Sequence, residues 1–200
     1  MKKSIAIMAL VLALSGALAA QTRTWAGPSF LSQSMHETAG SEEYSTTVDS
    51  IGLGMGFLAG EPFGLYTGTT IGLAIGARRN AGGVMESLDM SLYGLGFAMD
   101  FMLGGGTVLD FGSFDLLLAG GAAADFYIFM PKEITTDEVM YLALGPAAVC
   151  NLGYVLSPSF GVYAGMEAFW GILQPPTLGL TEFSWSVALV PSIGLSFTSR

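Results

Sequence analysis

The feature that most restricts this chain is its alternation. From Ser50 to the C-terminus, segment after segment puts an apolar residue at every second position, with Gly, Ser, Thr, Ala or an occasional acid between. This is the period of a strand with two unlike faces. In Ile51-Gly52-Leu53-Gly54-Met55-Gly56-Phe57 the large side chains share one face and the glycines the other. A soluble sandwich would expose charged residues opposite its apolar face, whereas here the intervening residues are small and nearly uncharged. Such a strand suits lipid on one side and a narrow, crowded lumen on the other.

The first twenty residues have a different character. Lys2 and Lys3 precede an apolar run from Ile5 to Leu14 and the small-residue stretch Ser15-Gly16-Ala17-Leu18-Ala19-Ala20, the arrangement of a cleaved secretory signal. Residues 1–20 are expected to be removed, leaving 21–200 as one domain. Sixteen acids outnumber seven Lys and Arg, and beyond the signal the cations are Arg23, Arg78, Arg79, Lys132 and Arg200. No basic face exists for nucleic acid. The single cysteine, Cys150, permits no internal disulfide and is expected to pack as a small hydrophobe. Zinc-ligand and EF-hand spacings are both missing, so neither a metal nor a cofactor is expected. The rival class is a helical inner-membrane protein, because Val139 to Met166 holds no charge. Pro146, Ser157-Pro158, the glycines and the lack of Lys/Arg-rich loops argue against it.

Turn chemistry divides the chain into eight predicted strands: 22–34, 48–59, 64–78, 88–103, 113–129, 140–156, 160–173 and 184–198. Short turns at 60–63, 104–112 and 157–159 alternate with longer polar loops at 36–47, 79–87, 131–139 and 174–183. Each tilted crossing takes about 9–11 residues, and only helices or a closed barrel satisfy every backbone amide in lipid. The expected fold is all-β, a closed eight-stranded antiparallel transmembrane barrel. Parity assigns Ile71, Leu73 and Ile75, Tyr93 to Phe101, Leu116 and Leu118, Leu142 and Leu144, Phe160 to Trp170 and Trp185 to Phe197 to lipid, each at alternate positions. Trp25, Tyr93, Phe160, Trp170 and Trp185 fall near strand ends, where aromatic girdles sit.

With its signal, its eight alternating strands and the final strand Ser192-Ile193-Gly194-Leu195-Ser196-Phe197, the chain resembles the small eight-stranded outer-membrane barrels of the OmpA, OmpX and OmpW kind. The resemblance implies a monomer of the cell outer membrane, with outer-membrane lipid and the barrel-assembly machinery as partners.

Inward positions are filled unevenly. Gly52, Gly54, Gly56, Gly68, Gly72, Gly76, Gly94 and Gly96 make one wall nearly bare backbone, while Tyr127, Tyr141, Tyr163 and Phe169 supply bulk opposite. Complementary packing is the plain expectation, since eight strands leave just enough interior for side chains. The alternative is a slot for a small hydrophobic solute. Charge is unbalanced too: Arg78 is expected to face inward with Asp100, Asp115, Asp125 and Glu167, pairing with Asp125 or Glu167 and leaving surplus carboxylates hydrated, protonated or cation-bound.

Pro28 and Pro191 lie in the first and last strands, which meet to close the barrel, and Pro146 interrupts another. Proline donates no ladder hydrogen bond, so bulges are expected there; a weakened seam open to lateral exchange is the alternative. His36 beside Ser34 and Glu37 is the one rim cluster with catalytic residue types, but adjacency in sequence is no triad, and no enzyme is expected. Glu37, Glu42 and Glu43, with Glu133, Asp137 and Glu138, make the outer loops acidic, a solvated surface or an adhesive or cation-binding rim. The expected role is structural or surface-interactive around a largely packed lumen; the alternative is a narrow pore or carrier for small hydrophobic solutes.

Overall fold

A computed structural model describes residues 22–39, 42–60, 63–81, 83–87, 93–131, 139–174 and 182–199. The signal segment 1–20 lies outside them. The strands are β1 (Thr22–Ala39), β2 (Glu42–Ala59), β3 (Phe63–Ala81), β4 (Val84–Ser87), β5 (Tyr93–Asp110), β6 (Phe114–Pro131), β7 (Val139–Ser157), β8 (Phe160–Gly171) and β9 (Glu182–Ser199). Each long strand pairs antiparallel with its neighbours, β1 pairs with both β2 and β9, and β2 pairs with β3, so eight staves close on themselves. β4 is a short hairpin extension of β3. Closure pairs the staves on both sides over most of their length, as a lipid-embedded backbone requires; the β3–β5 ladder ends at Leu73↔Phe97 and the β7–β8 ladder at Ala147↔Phe169. The segment that read as helix-like in hydropathy, Val139 to Met166, forms β7 and part of β8.

The two faces follow the alternation. Ile51, Leu53, Met55, Ile71, Leu73, Leu95, Met99, Phe101, Met166, Leu189, Ile193 and Leu195 are exposed outside. Trp25, Leu31, Leu58, Tyr66, Met102, Leu117, Tyr127, Tyr141, Tyr163 and Phe169 are buried inside. Cys150 faces outward in the apolar belt instead of packing in the interior.

Several segments expected as loops are strand. β1 continues to Ala39 and pairs in register with β2 from Glu42, so most of 36–47 is a hairpin standing above the belt. There Ser32, Ser34, Thr47 and Asp49 satisfy one another, Ser32 Oγ donating to Asp49 at 2.7 Å and the Ser34 and Thr47 hydroxyls meeting at 2.5 Å. β5 likewise runs to Asp110 through Gly104, Gly105 and Gly106, where the glycines predict a turn. The actual reversal comes at Gly112, whose φ of +84° needs a residue without a Cβ.

The prolines depart from expectation. Neither Pro28 nor Pro191 creates a bulge: β1 and β9 hold one register from Thr22↔Ser199 to His36↔Trp185 and shift only between His36 and Glu37. Instead the ladder is skipped at Gly27–Pro28, opposite Ile193–Gly194, and again at Phe30–Leu31, opposite Val190–Pro191. The missing N–H groups remove bonds without adding a residue. Pro146 pairs with Ala122 of β6, but the continuous β7–β8 ladder stops at Ala147↔Phe169 and resumes only as an isolated Leu144↔Leu173 bridge.

Candidate functional site: the barrel lumen

A bulge re-aims the outer end of β3. Asp49 faces Gly76 while the next residue, Ser50, faces Ala74, so Ile75 is extra, and every side chain beyond it changes face. Ala77 turns inward and is buried, while Gly76 and Arg78 turn outward. A Cβ built at Gly76 would meet nothing within 4 Å. Arg78 therefore leaves the lumen and donates to Asp49 at 2.8 Å on the exposed outer surface. The expected pairing of Arg78 with Asp125 or Glu167 is incorrect for this reason.

The cation that does enter is Arg23, which sequence parity overlooked because the strand around Gly27-Pro28 alternates poorly. It forms a salt bridge with Asp115 across the lumen near the end where Thr22 and Ser199 pair, and Asp115 rests on the bare backbone of Gly153. The two sit in a polar mouth of about 360 Å³ lined by Asp110, Gly161, Ser196 and Thr198. Trp25 lies immediately inside, 1% exposed. It is at a strand end as expected, but it faces the lumen and does not belong to the lipid girdle.

The glycine positions are occupied. The Tyr66 ring covers Gly56 and Gly68, with its hydroxyl 2.7 and 3.0 Å from where their Cβ atoms would be. At Gly52, and at both members of Gly27/Gly194 and Gly104/Gly121, a Cβ would strike the neighbouring strand's backbone, while at Gly72 it would press on Ile51 and Ser50 at 3.2 Å. Gly54 faces Thr70 and Ser29, Gly96 is buried, and Gly94 lies in β5. Among the described residues, Trp25, Tyr66, Thr70, Asn151, Tyr163 and Glu167 bound an interior cavity of about 30 Å³. That is room for a water or two.

Above it lies a buried polar layer. Asp100 and Asp125 are register partners across β5 and β6, each 0% exposed. Gln33 of β1 donates through Nε2 to Asp125. Glu167 of β8 brings its carboxyl against Asp100. Tyr127 and Tyr141 stack with centroids 5.0 Å apart over this layer, and Phe169 closes the wall beside them, buried. The structure thus gathers Asp100, Asp125 and Glu167, keeps Asp115 apart with Arg23, and removes Arg78.

The rim cluster does not assemble. Ser34 and His36 are on the outer face, Ser34 bonded to Thr47 and His36 stacked on Trp185. Glu37 is on the opposite face, beside the lumen tyrosines Tyr127 and Tyr141.

Among solved structures, the chain is similar to the outer membrane protein OprG from Pseudomonas aeruginosa, with a TM-score of 0.60 and 9% identity over 90% of this chain and 96% of that one. It is also similar to Neisserial surface protein A, at 0.54 and 10% over 88% and 96%. A third is Ail, the attachment invasion locus protein of Yersinia pestis, at 0.50 and 11% over 88% and 98%. The fold is that of the small outer-membrane β-barrels. No protein-family model matches the chain, and no curated protein does. The apolar exterior and the exposed Trp170 and Trp185 are what such a barrel presents to lipid.

Proposed function

We propose that this outer-membrane barrel is non-enzymatic and acts as a structural or surface-interaction protein, with its lumen packed shut and its outer hairpins as the working surface. One observation carries the reading: six large aromatic side chains, Trp25, Tyr66, Tyr127, Tyr141, Tyr163 and Phe169, are buried in the interior, and the cavity between Trp25, Tyr66 and Tyr163 holds about 30 Å³. No solute larger than water fits there. The hairpin of β1 and β2, with its hydroxyl and carboxylate ladder, stands beyond the apolar belt and is the accessible part. The test is conductance and solute entry with refolded protein in bilayers and liposomes. Currents and swelling at the level of protein-free membranes are expected; stepwise conductance or sugar entry would overturn the reading.

A second reading, a carrier for small hydrophobic solutes with lateral exit where β1 meets β9, is favoured by the ladder skipped at Pro28 and Pro191. Ala26 and Leu195 are register partners beside that gap. Cysteines there, once cross-linked, abolish uptake if solutes leave through the seam and do not affect it otherwise.

A further inference from the structure

We propose that the outer wall of the barrel seats one diacyl phospholipid, with an acyl chain on each side of Ile172. Two apolar grooves share that residue. One, of about 560 Å³, runs between Leu103 and Ile172 over a floor of Ala122, Ala124 and Pro146. The other, of about 570 Å³, is bounded by Ile172, Val187 and the indoles of Trp170 and Trp185. Both volumes fall in the range of ligand pockets, about 300–1,000 Å³, whereas the lumen cavity of about 30 Å³ does not. Among the described residues, the room for an apolar ligand is on the outside of the barrel.

The grooves arise where small residues meet a break in the wall. Leu103, Ala122 and Pro146 are register partners across β5, β6 and β7, and the outward-facing Ala122 and Pro146 lack the bulk to rise to the height of Leu103. Pro146 has no N–H to offer β8, and the continuous ladder ends beside it at Ala147↔Phe169, returning as the Leu144↔Leu173 bridge. Ile172 stands exposed between the two grooves as a ridge. The surroundings decide the occupant. Both grooves open onto the face that carries the exposed Phe101, Met166 and Leu189, which is the face turned to lipid, and an unfilled apolar groove forfeits the dispersion contacts of its lining. Two grooves of nearly equal volume on either side of one ridge match the paired chains of a single lipid. Trp170 and Trp185, both exposed, set the adjoining head group at the interfacial depth that indoles favour.

The site is the same whether or not the lumen conducts, so its test is separate from the conductance measurement. The full refolded chain in vesicles of a diacyl phosphatidylcholine is extracted into mild detergent and weighed by native mass spectrometry. One phospholipid retained per barrel is expected, with its single-chain lyso form held more weakly. Ala122→Phe fills the first groove and Val187→Phe the second, and each should abolish retention. Leu53→Phe, on the lipid face of β2, should leave it unchanged. All three swaps are apolar on the lipid face, heat-dependent gel mobility checks folding, and either groove variant decides the matter should the other fail to fold. Retention that survives both groove variants, or that Leu53→Phe abolishes equally, means that lipid merely coats the barrel and overturns the proposal. Loss in only one groove variant overturns the two-chain seat, and a particle of two barrels that Ala122→Phe dissociates assigns the face to a second copy instead.

Discussion

His36 and Trp185 are register partners across the closing seam, and their rings stack face to face, centroids 3.6 Å apart and planes 12° from parallel. The contact lies above the apolar belt. Partial burial pushes the imidazole below the ordinary histidine value, with Glu43 opposing. The folded barrel therefore favours neutral His36: the contribution to stability is full above about pH 6.5 and is lost as the pH falls through the depressed value. In a proton NMR titration in micelles, His36 should titrate below a free histidine, and Trp185→Leu should move it back upward. An unchanged midpoint in that variant would show that the indole is not the cause.

The glycines make different predictions according to what lies against them. At Gly104 a Cβ would strike the backbone of Gly120 and Gly121, whereas at Gly56 it meets the tip of the Tyr66 ring. A ring can tilt and a paired strand cannot. Gly56→Ala should cost about 1 kcal/mol and Gly104→Ala about 3 kcal/mol or more, at or above the top of the usual overpacking range. Urea unfolding of the two refolded variants checks the order, and equal costs would mean that Tyr66 is as fixed as the backbone.

Much of this was legible in the alternation. It identifies Ile71 and Leu73 as lipid-facing and Tyr127, Tyr141, Tyr163 and Phe169 as interior, because a period of two survives any uncertainty in strand ends. What it cannot carry is parity through an irregularity. The extra residue at Ile75 reverses Gly76 and Arg78, and the same rule failed to place Arg23 and Trp25 beside Gly27-Pro28. Nor does alternation distinguish strand within the membrane from strand above it, so the polar ends of β1 and β2 read as a loop. Tyr66 shares the face of Gly68, but alternation alone does not show that its ring lies back over its own wall and covers Gly56 and Gly68.

The Arg23–Asp115 bridge holds two charges at the lumen mouth with side chains 11% and 5% exposed. Removing one partner of a buried pair leaves the other uncompensated, at a cost of about 3–5 kcal/mol. Arg23→Met should lower the unfolding midpoint in urea accordingly, while the double variant with Asp115→Leu should recover most of the loss. A single variant as stable as the parent would indicate that water from the adjoining mouth of about 360 Å³ screens the pair.

Tyr66 decides whether the lumen is a plug or a passage. Its ring occupies the space over Gly56 and Gly68 and borders the cavity that also touches Trp25, Thr70 and Glu167. Truncation to alanine joins that space to the existing void along a wall with no side chains to collapse into it. The cost should fall near the about 3–5 kcal/mol typical of large aromatic truncations, and the barrel should still fold because the ladders on either side are untouched. Refolded Tyr66→Ala should take up a fluorescent apolar dye or show measurable conductance where the parent shows none. If parent and variant bind the dye equally, the passage is already open and the carrier reading replaces the packed one; if neither binds, Trp25 and the Arg23–Asp115 pair close the lumen without help from Tyr66.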